Sequence, residues 1–154
     1  MATPMWVHFQ GPAFSLRVPS NWFVNATPQI QAMLIEPPRG ENQLRSNLII
    51  TLQAVQPDVT VDAVLQNARR AQEREYPRFT LQDEGAVTGR AVEGRYQVYT
   101  WFNEESQTEV LQTQTFYIAN GILFSLTTTC SVERQDEVMP IFSEMLGSFA
   151  IEIN

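Results

Sequence analysis

The chain has 154 residues, 44% of them hydrophobic and 18% charged, a composition that fits one globular domain over 1–154 and argues against disorder. Its formal charge is −7, from 17 acidic against 10 basic residues, so no electropositive surface for nucleic acid or anionic lipid is expected. All ten bases are arginine; the missing lysines remove Schiff-base chemistry and a P-loop lysine, and a single Cys with a single His removes internal disulfides and zinc sites built from several such ligands.

The opening Met1-Ala2-Thr3-Pro4-Met5-Trp6-Val7-His8 shows neither a basic segment nor an apolar stretch of the secretory kind. No run approaches the ~18 apolar residues of a membrane span. A cytoplasmic protein is the expectation. At this length a chain buries roughly 70% of its unfolded surface, enough to fold without metal or disulfide.

In chain order, Phe14, Leu16 and Val18 alternate with Ser15 and Arg17, the period of a half-buried strand ended by Pro19-Ser20-Asn21. Met33-Leu34-Ile35 reads as a second strand, and Glu36-Pro37-Pro38-Arg39-Gly40-Glu41-Asn42 as a loop. Leu48, Ile50, Leu52 and Ala54, with Ile49 and Val55 on the reverse side, predict an interior strand. From Thr60 to Tyr76 the period changes: Val61, Val64, Leu65, Ala68 and Ala71 recur at helical spacing, Thr60 is placed to cap, Asp62 favours the helix dipole, and Pro77 stops the helix.

Strands return with Phe79 and Leu81, fading at Asp83-Glu84-Gly85, then Ala86-Val87-Thr88-Gly89 and Tyr96 to Phe102. Val110–Ile118 and Ile122–Cys130 flank Asn120-Gly121, a strong short hairpin signal because both residues tolerate positive φ. Val138, Ile141, Phe142 and Met145 mark a closing helix. Pro140 belongs near its first turn or at a kink, Gly147 at its C-cap, and Phe149-Ala150-Ile151 in a short terminal strand. Long hairpins with only two helices predict an α+β fold, an antiparallel sheet of about six to seven strands flanked by two main helices, rather than a doubly wound parallel one.

Reactive groups are sparse. His8 and Cys130 could form a dyad, but Cys130 continues the inward row Ile122, Phe124, Leu126, Thr128 and reads as a small buried hydrophobe. The acid pairs Asp83-Glu84, Glu104-Glu105 and Asp136-Glu137 read as solvated turn charge. Gly85, Gly89 and Gly94 do not have the spacing of a phosphate loop. Arg69, Arg70, Arg74 and Arg78 read as a solvated helix face, with Arg69 and Glu73 at ion-pair spacing. No cofactor or metal is called for, and no enzyme is expected.

The aromatic residues on strands point elsewhere. Were Phe102, Phe116 and Phe124 to share one core, then Tyr99, Trp101, Leu111, Tyr117 and Leu123 would line the other face, either under a helix or as an exposed apolar patch of the kind that marks interaction sites. These five are the candidate partner contacts. The edges of an antiparallel sheet leave homodimerisation open.

Two segments resemble a known family. Phe14-Ser15-Leu16-Arg17-Val18-Pro19-Ser20-Asn21-Trp22 resembles the strand and Pro-x-x-Trp opening of PsbP-like and DcrB-like domains, and Ile141 to Phe149 is similar to their final helix and its Ser-Phe exit. The resemblance implies an antiparallel sheet flanked by helices on both faces, and a non-catalytic role. Its branches include photosystem extrinsic subunits, Ran-binding proteins, envelope lipoproteins and Eag-type chaperones, and the absence of a visible leader favours a cytoplasmic branch. No functional residue carries over. The expectation is a protein- or peptide-binding module, adaptor or chaperone-like; the alternative is a carrier of a small apolar ligand, with a closed pocket of ~300–1,000 Å³ between sheet and helix.

Overall fold

A computed structural model describes residues 5–28, 30–40, 43–88 and 90–152. The elements run β1 (Trp6–Gly11), β2 (Phe14–Pro19), β3 (Phe23–Asn25), β4 (Ala32–Ile35), β5 (Asn47–Ala54), α1 (Val61–Glu75), β6 (Thr80–Ala86), β7 (Gly94–Asn103), β8 (Thr108–Ala119), β9 (Ile122–Ser131), a 3-10 turn (Val132–Arg134), α2 (Gln135–Ser148) and β10 (Ala150–Ile151). Among the described residues these strands form a seven-stranded antiparallel sheet, ordered β3-β4-β5-β9-β8-β7-β6, and a three-stranded antiparallel sheet, β1-β2-β10. The α+β reading with two helices holds; the separate small sheet, β1 and β3 are additions to it.

Two cores flank the large sheet. On one face Leu48, Ile50, Leu111, Tyr117, Phe124 and Leu126 pack with Val138, Phe142 and Met145 of α2 and with Phe14, Leu16 and Val18 of the small sheet. Phe149, just past α2, is the centre of that core, stacked on Tyr117 with ring centroids 5.8 Å apart and edge-on to Phe124 at 6.2 Å. On the other face Val61 and Leu65 of α1 pack with Phe116 and Leu123.

Local chemistry explains most element ends. Thr60 Oγ1 accepts a hydrogen bond from the Ala63 N–H at 3.1 Å, the expected cap of α1, worth about 1 kcal/mol. Asn120 and Gly121 both take positive φ, 51° and 73°, as a two-residue turn matched to strand twist requires. Gln10 and Gly11 lead into a second tight hairpin at Pro12-Ala13, where Ala13 takes φ 65°.

Three expectations are corrected. Asp83-Glu84-Gly85 does not end a strand: β6 runs through it, paired with β7 around a register shift between Leu81 and Asp83. Backbone pairing needs no apolar side chain at an exposed edge, and charge there is useful. Ala86 is its last residue, and Val87 and Thr88 are not a strand of their own, while Gly89 lies outside the described residues.

Gly147 is not the C-cap, because α2 continues to Ser148. The Arg90 guanidinium, on the β6–β7 connection, donates to Leu146 O at 2.7 Å, to Gly147 O at 3.2 Å and to Phe149 O. A cation there also complements the helix dipole, so the left-handed glycine turn is not needed. Pro140 lies inside α2, and its exposed position leaves the carbonyl it cannot bond open to water.

Candidate functional site

The five candidate partner contacts do not share a face. The two-residue loop at Asn120-Gly121 pairs Ala119 with Ile122, and the same register puts Tyr117 opposite Phe124 and Phe116 opposite Ser125. Phe116 and Phe124 therefore point to opposite sides. Leu111 and Tyr117 join Phe124 in the α2 core; Leu123, Tyr99 and Trp101 turn toward the α1 side. Tyr99, Leu111, Tyr117 and Leu123 are buried, and Trp101 is half-buried. Of the two alternatives, cover by a helix and an exposed patch, the structure has the first, with the five residues divided between the α2 side and the α1 side.

Trp101 stacks on Tyr76 with centroids 4.1 Å apart, and its indole N–H donates to Gln112 Oε1 at 2.9 Å. Tyr99 sits beneath α1, where burial raises its phenol pKa far above the ordinary value. Around it lies an amide cluster that composition does not advertise. Gln72 Nε2 donates to Gln114 Oε1 at 2.7 Å and to Tyr99 Oη at 3.3 Å. Gln97 Nε2 donates to Gln72 Oε1 and to Gln114 Oε1, each at 2.9 Å. Arg69 closes the network, donating to Gln97 Oε1 at 3.3 Å and pairing with Glu84 of β6 rather than with Glu73. Satisfied amides of this kind fix where a helix sits on a sheet.

The reactive candidates are dispersed. His8 is exposed on β1, with its Nε2 3.4 Å from Gln10 Oε1, while Cys130 is wholly buried on β9 and its thiol pKa is pushed up to about 11 by burial. No dyad is assembled. Asp83 and Glu84 point apart, to Tyr96 Oη at 3.1 Å and to Arg69 at 2.5 Å. No cluster of three or more metal-ligating side chains occurs among the described residues.

Two clefts remain. The first, about 790 Å³, opens between the β6–β8 end of the large sheet and the C-terminal turn of α2; Arg90, Tyr96, Val98, Thr113, Thr115 and Leu146 line it. Its volume suits a small ligand. Its threonines, arginine and open mouth differ from the closed apolar pocket expected of a carrier, and the arginine is already committed to the helix carbonyls.

The second cleft, about 600 Å³, is built by three connections that a linear reading treats separately: the β2–β3 turn, the β4–β5 loop and the entry to α2. Pro19, Trp22, Pro37, Pro38, Pro140 and Ile141 give it rigid apolar walls. The turn is held by the Trp22 N–H donating to Pro19 O at 3.1 Å, and the indole stands edge-on to Phe142 at 6.1 Å.

Charge lines one end of this cleft. Glu36, at the start of the segment read as a loop, is only 6% exposed. Its Oε2 accepts from Arg134 Nη1 at 2.6 Å and from the Ser46 N–H at 2.5 Å. Arg134 Nε reaches Glu137 Oε2 at 3.1 Å, and Arg39 Nη1 lies 3.8 Å from Glu137 Oε1. Burial works against the Glu36 carboxylate, but the bond from Arg134 and those from Ser46 outweigh it, so its pKa lies below the usual carboxylate value. Glu137 is lowered by the same arginine. Burial opposes the Arg134 cation, and both carboxylates more than compensate, raising its pKa. Glu41 and Asn42, assigned to the same loop, lie outside the described residues. The signal for this site was the Pro-x-x-Trp turn; Glu36 and Arg134, 98 residues apart, gave none.

No family model and no curated protein matches the sequence. Solved structures do match in shape. LpqN of Mycobacterium tuberculosis, involved in cell envelope biogenesis, superposes with a TM-score of 0.73 at 15% identity, over 98% of this chain and 91% of that one. CyanoP, the cyanobacterial PsbP of Synechocystis sp. PCC 6803, gives 0.69 at 13% identity, over 97% and 94%. The Saccharomyces cerevisiae Ran-binding protein Mog1p gives 0.63 at 10% identity, over 97% and 95%. At such identities the likeness concerns architecture, and the described helices are none of them long and apolar enough to cross a membrane. With its helix-flanked antiparallel sheet matched end to end, the chain has the PsbP/Mog1-like fold.

Proposed function

We propose that this chain is a non-catalytic protein- or peptide-binding module, adaptor or chaperone-like, and that it docks its partner at the Trp22 cleft. The observation that supports this reading is the make-up of that cleft. Four prolines and a tryptophan are apolar walls that lose little freedom when a partner is bound. The row Glu36–Arg134–Glu137–Arg39 supplies polar contacts whose charges already balance. Trp and Arg are the side chains that dominate binding energy at protein interfaces. A partner that inserts an apolar side chain against the indole, with polar groups over the arginine row, fits both ends. The shared architecture with a Ran-binding protein supports a protein partner. The non-catalytic part is supported by the separation of the imidazole from the thiol.

Site-specific photo-crosslinking tests this. A photoreactive residue at Asn21 or Ile141 should capture one polypeptide that the same residue at Gln66, on exposed α1, does not. The purified partner should then bind the wild type and lose at least tenfold in affinity with Ile141→Asp, the circular dichroism spectrum staying native. Equal capture from Gln66, or reproducible turnover of a small molecule by the purified chain, would refute the reading.

A further inference from the structure

Among the described residues the two sheets end in four edge strands: β3, β6, β1 and β10. Three are protected against pairing. β3 has three residues and β10 has two, and β6 carries Asp83, Glu84 and a register shift. Short length, charge and bulges are the usual devices that keep an edge from accepting another strand. β1 has none of them. Its six residues, Trp6 to Gly11, include no acid, no proline and no shift of register.

The backbone phase of this edge is fixed. The Ser20 N–H donates to Met5 O at 2.7 Å, and bonded and non-bonded pairs alternate along an antiparallel ladder. Val7, Phe9 and Gly11 therefore turn their backbone groups toward β2. Pro19, which has no N–H, stands opposite Trp6, as a non-bonded pair permits. On the other side of β2 the Glu152 N–H donates to Ala13 O at 2.7 Å, giving the complementary phase. Trp6, His8 and Gln10 thus present their N–H and C=O groups to the open edge. The side chains match. Val7 lies opposite Val18, which is buried, on the core-facing side of the small sheet, yet Val7 is 47% exposed and Met5, two residues earlier on that side, 77%. The apolar row runs on past the last strand that could shelter it.

We propose that β1 pairs with β1 of a second copy of this chain, antiparallel, about a twofold axis at His8, joining two three-stranded sheets into one of six strands. With the axis there, Trp6, His8 and Gln10 meet Gln10, His8 and Trp6 of the copy, and every outward backbone group of the strand is satisfied at once. A one-pair shift in either direction leaves one of the three unpaired. Val7 then lies opposite Phe9 of the copy on the core-facing side, which covers the exposed row. Charge allows the approach: in a chain of net charge −7, β1 and β2 carry no acid, and their one cation, Arg17, is paired with Glu144. An isologous twofold contact of this kind closes on itself rather than propagating.

Sedimentation velocity over a concentration series should show a dimer that dissociates on dilution. His8→Pro removes an N–H that this phase turns away from β2, and proline is tolerated on an edge; it should leave a monomer with native circular dichroism and an unchanged melting temperature. His8→Cys provides a test that does not depend on the proline variant folding. Cys130 is wholly buried, so the new thiol is the one exposed thiol, and bonded antiparallel pairs set Cα atoms about 5.5 Å apart, within disulfide reach. It should oxidise to a covalent dimer far faster than Ala63→Cys on exposed α1. A wild type monomeric at every concentration, a dimer that survives His8→Pro, or equal cross-linking by the two cysteines would overturn the proposal. So would a His8→Cys thiol that couples to a different polypeptide, which would assign the edge to a foreign strand.

Discussion

Substituting Arg134 by Met isolates the electrostatics of the Trp22 cleft. The change keeps the aliphatic bulk and removes the charge that Glu36 faces at 2.6 Å. Breaking a buried pair by deleting one member costs ~3–5 kcal/mol, because the other charge stays behind without compensation. Arg134 is 17% and Glu36 8% exposed at the side chain, and the pair borders an open cleft, so the loss should fall at the low end, about 3 kcal/mol at pH 7. The pH dependence separates this from simple loss of packing. In the wild type Glu36 has a pKa below that of the unfolded chain, ~4.3, so its pairing contributes stability above that value and is lost as the pH falls through the folded pKa. In the variant burial remains and the arginine bond is gone, so the folded pKa rises; the carboxylate then costs stability as the pH climbs past ~4.3. The difference between the two proteins should therefore shrink to about 1 kcal/mol near pH 4. Urea unfolding followed by tryptophan fluorescence at both pH values measures it. Adding Glu36→Gln, which keeps an acceptor for the Ser46 N–H, should recover more than half of the loss at pH 7. A loss equal at the two pH values, or below about 0.5 kcal/mol at pH 7, would show that the pair does not hold the cleft together.

Arg90→Ala should remove the donor to Gly147 O and Phe149 O and leave Leu146 O with the Phe149 N–H alone; we expect a loss of about 1–2 kcal/mol and faster amide hydrogen exchange confined to the last turn of α2, and unchanged exchange there would contradict the capping role. Gly147→Ala should stabilise the protein by about 0.5–1 kcal/mol in thermal or urea unfolding, because Gly147 is helical and a Cβ there meets nothing within 4 Å; a loss of stability would mean that the glycine is needed at the helix end. Gln97→Leu should cost about 1–3 kcal/mol by leaving Gln72 Oε1 without its donor and Arg69 Nε without its acceptor beneath α1, and should speed exchange across α1 relative to α2; a neutral result would mean that the amide cluster does not position the helix.

Local chemistry was legible where one residue settles a geometry. Thr60 caps, Pro77 stops and Asn120-Gly121 turns for reasons internal to a few residues, and each appears as read. β6 was harder, because edge pairing to β7 tolerates Asp83, Glu84 and Gly85 where propensity argues against a strand. Gly147 misled because helix-end glycine competes with a second solution, a remote arginine, and Arg90 gives no sign in sequence of where it will reach. The aromatic faces are a different case. A two-residue loop at Asn120-Gly121 forces paired residues on β8 and β9 to have positions of opposite parity, which alone separates Phe116 from Phe124. The error in grouping them lay in extending alternation across strands without that arithmetic. Trp6 to Gly11 likewise alternates faces, and its strand becomes evident once Pro12-Ala13 is seen as a tight turn to β2.

The placement of the aromatics also narrows where recognition can occur. Tyr99, Tyr117 and Phe149 are spent on two interiors, and each element that covers a sheet face is held by more than apolar contact: α1 by the amide cluster, α2 by Arg90 at one end and the Glu36–Arg134 pair at the other. A partner that needed the part of the sheet beneath either helix would first have to displace one of these, breaking satisfied buried polar groups at about 1–3 kcal/mol each. The Trp22 cleft and the β1 edge ask for no such rearrangement. Both are formed by residues already in place, and both leave apolar surface beside polar groups that are ordered before anything binds. Association there therefore costs the partner its freedom and costs this chain little, which is the condition under which a modest contact area becomes a specific one.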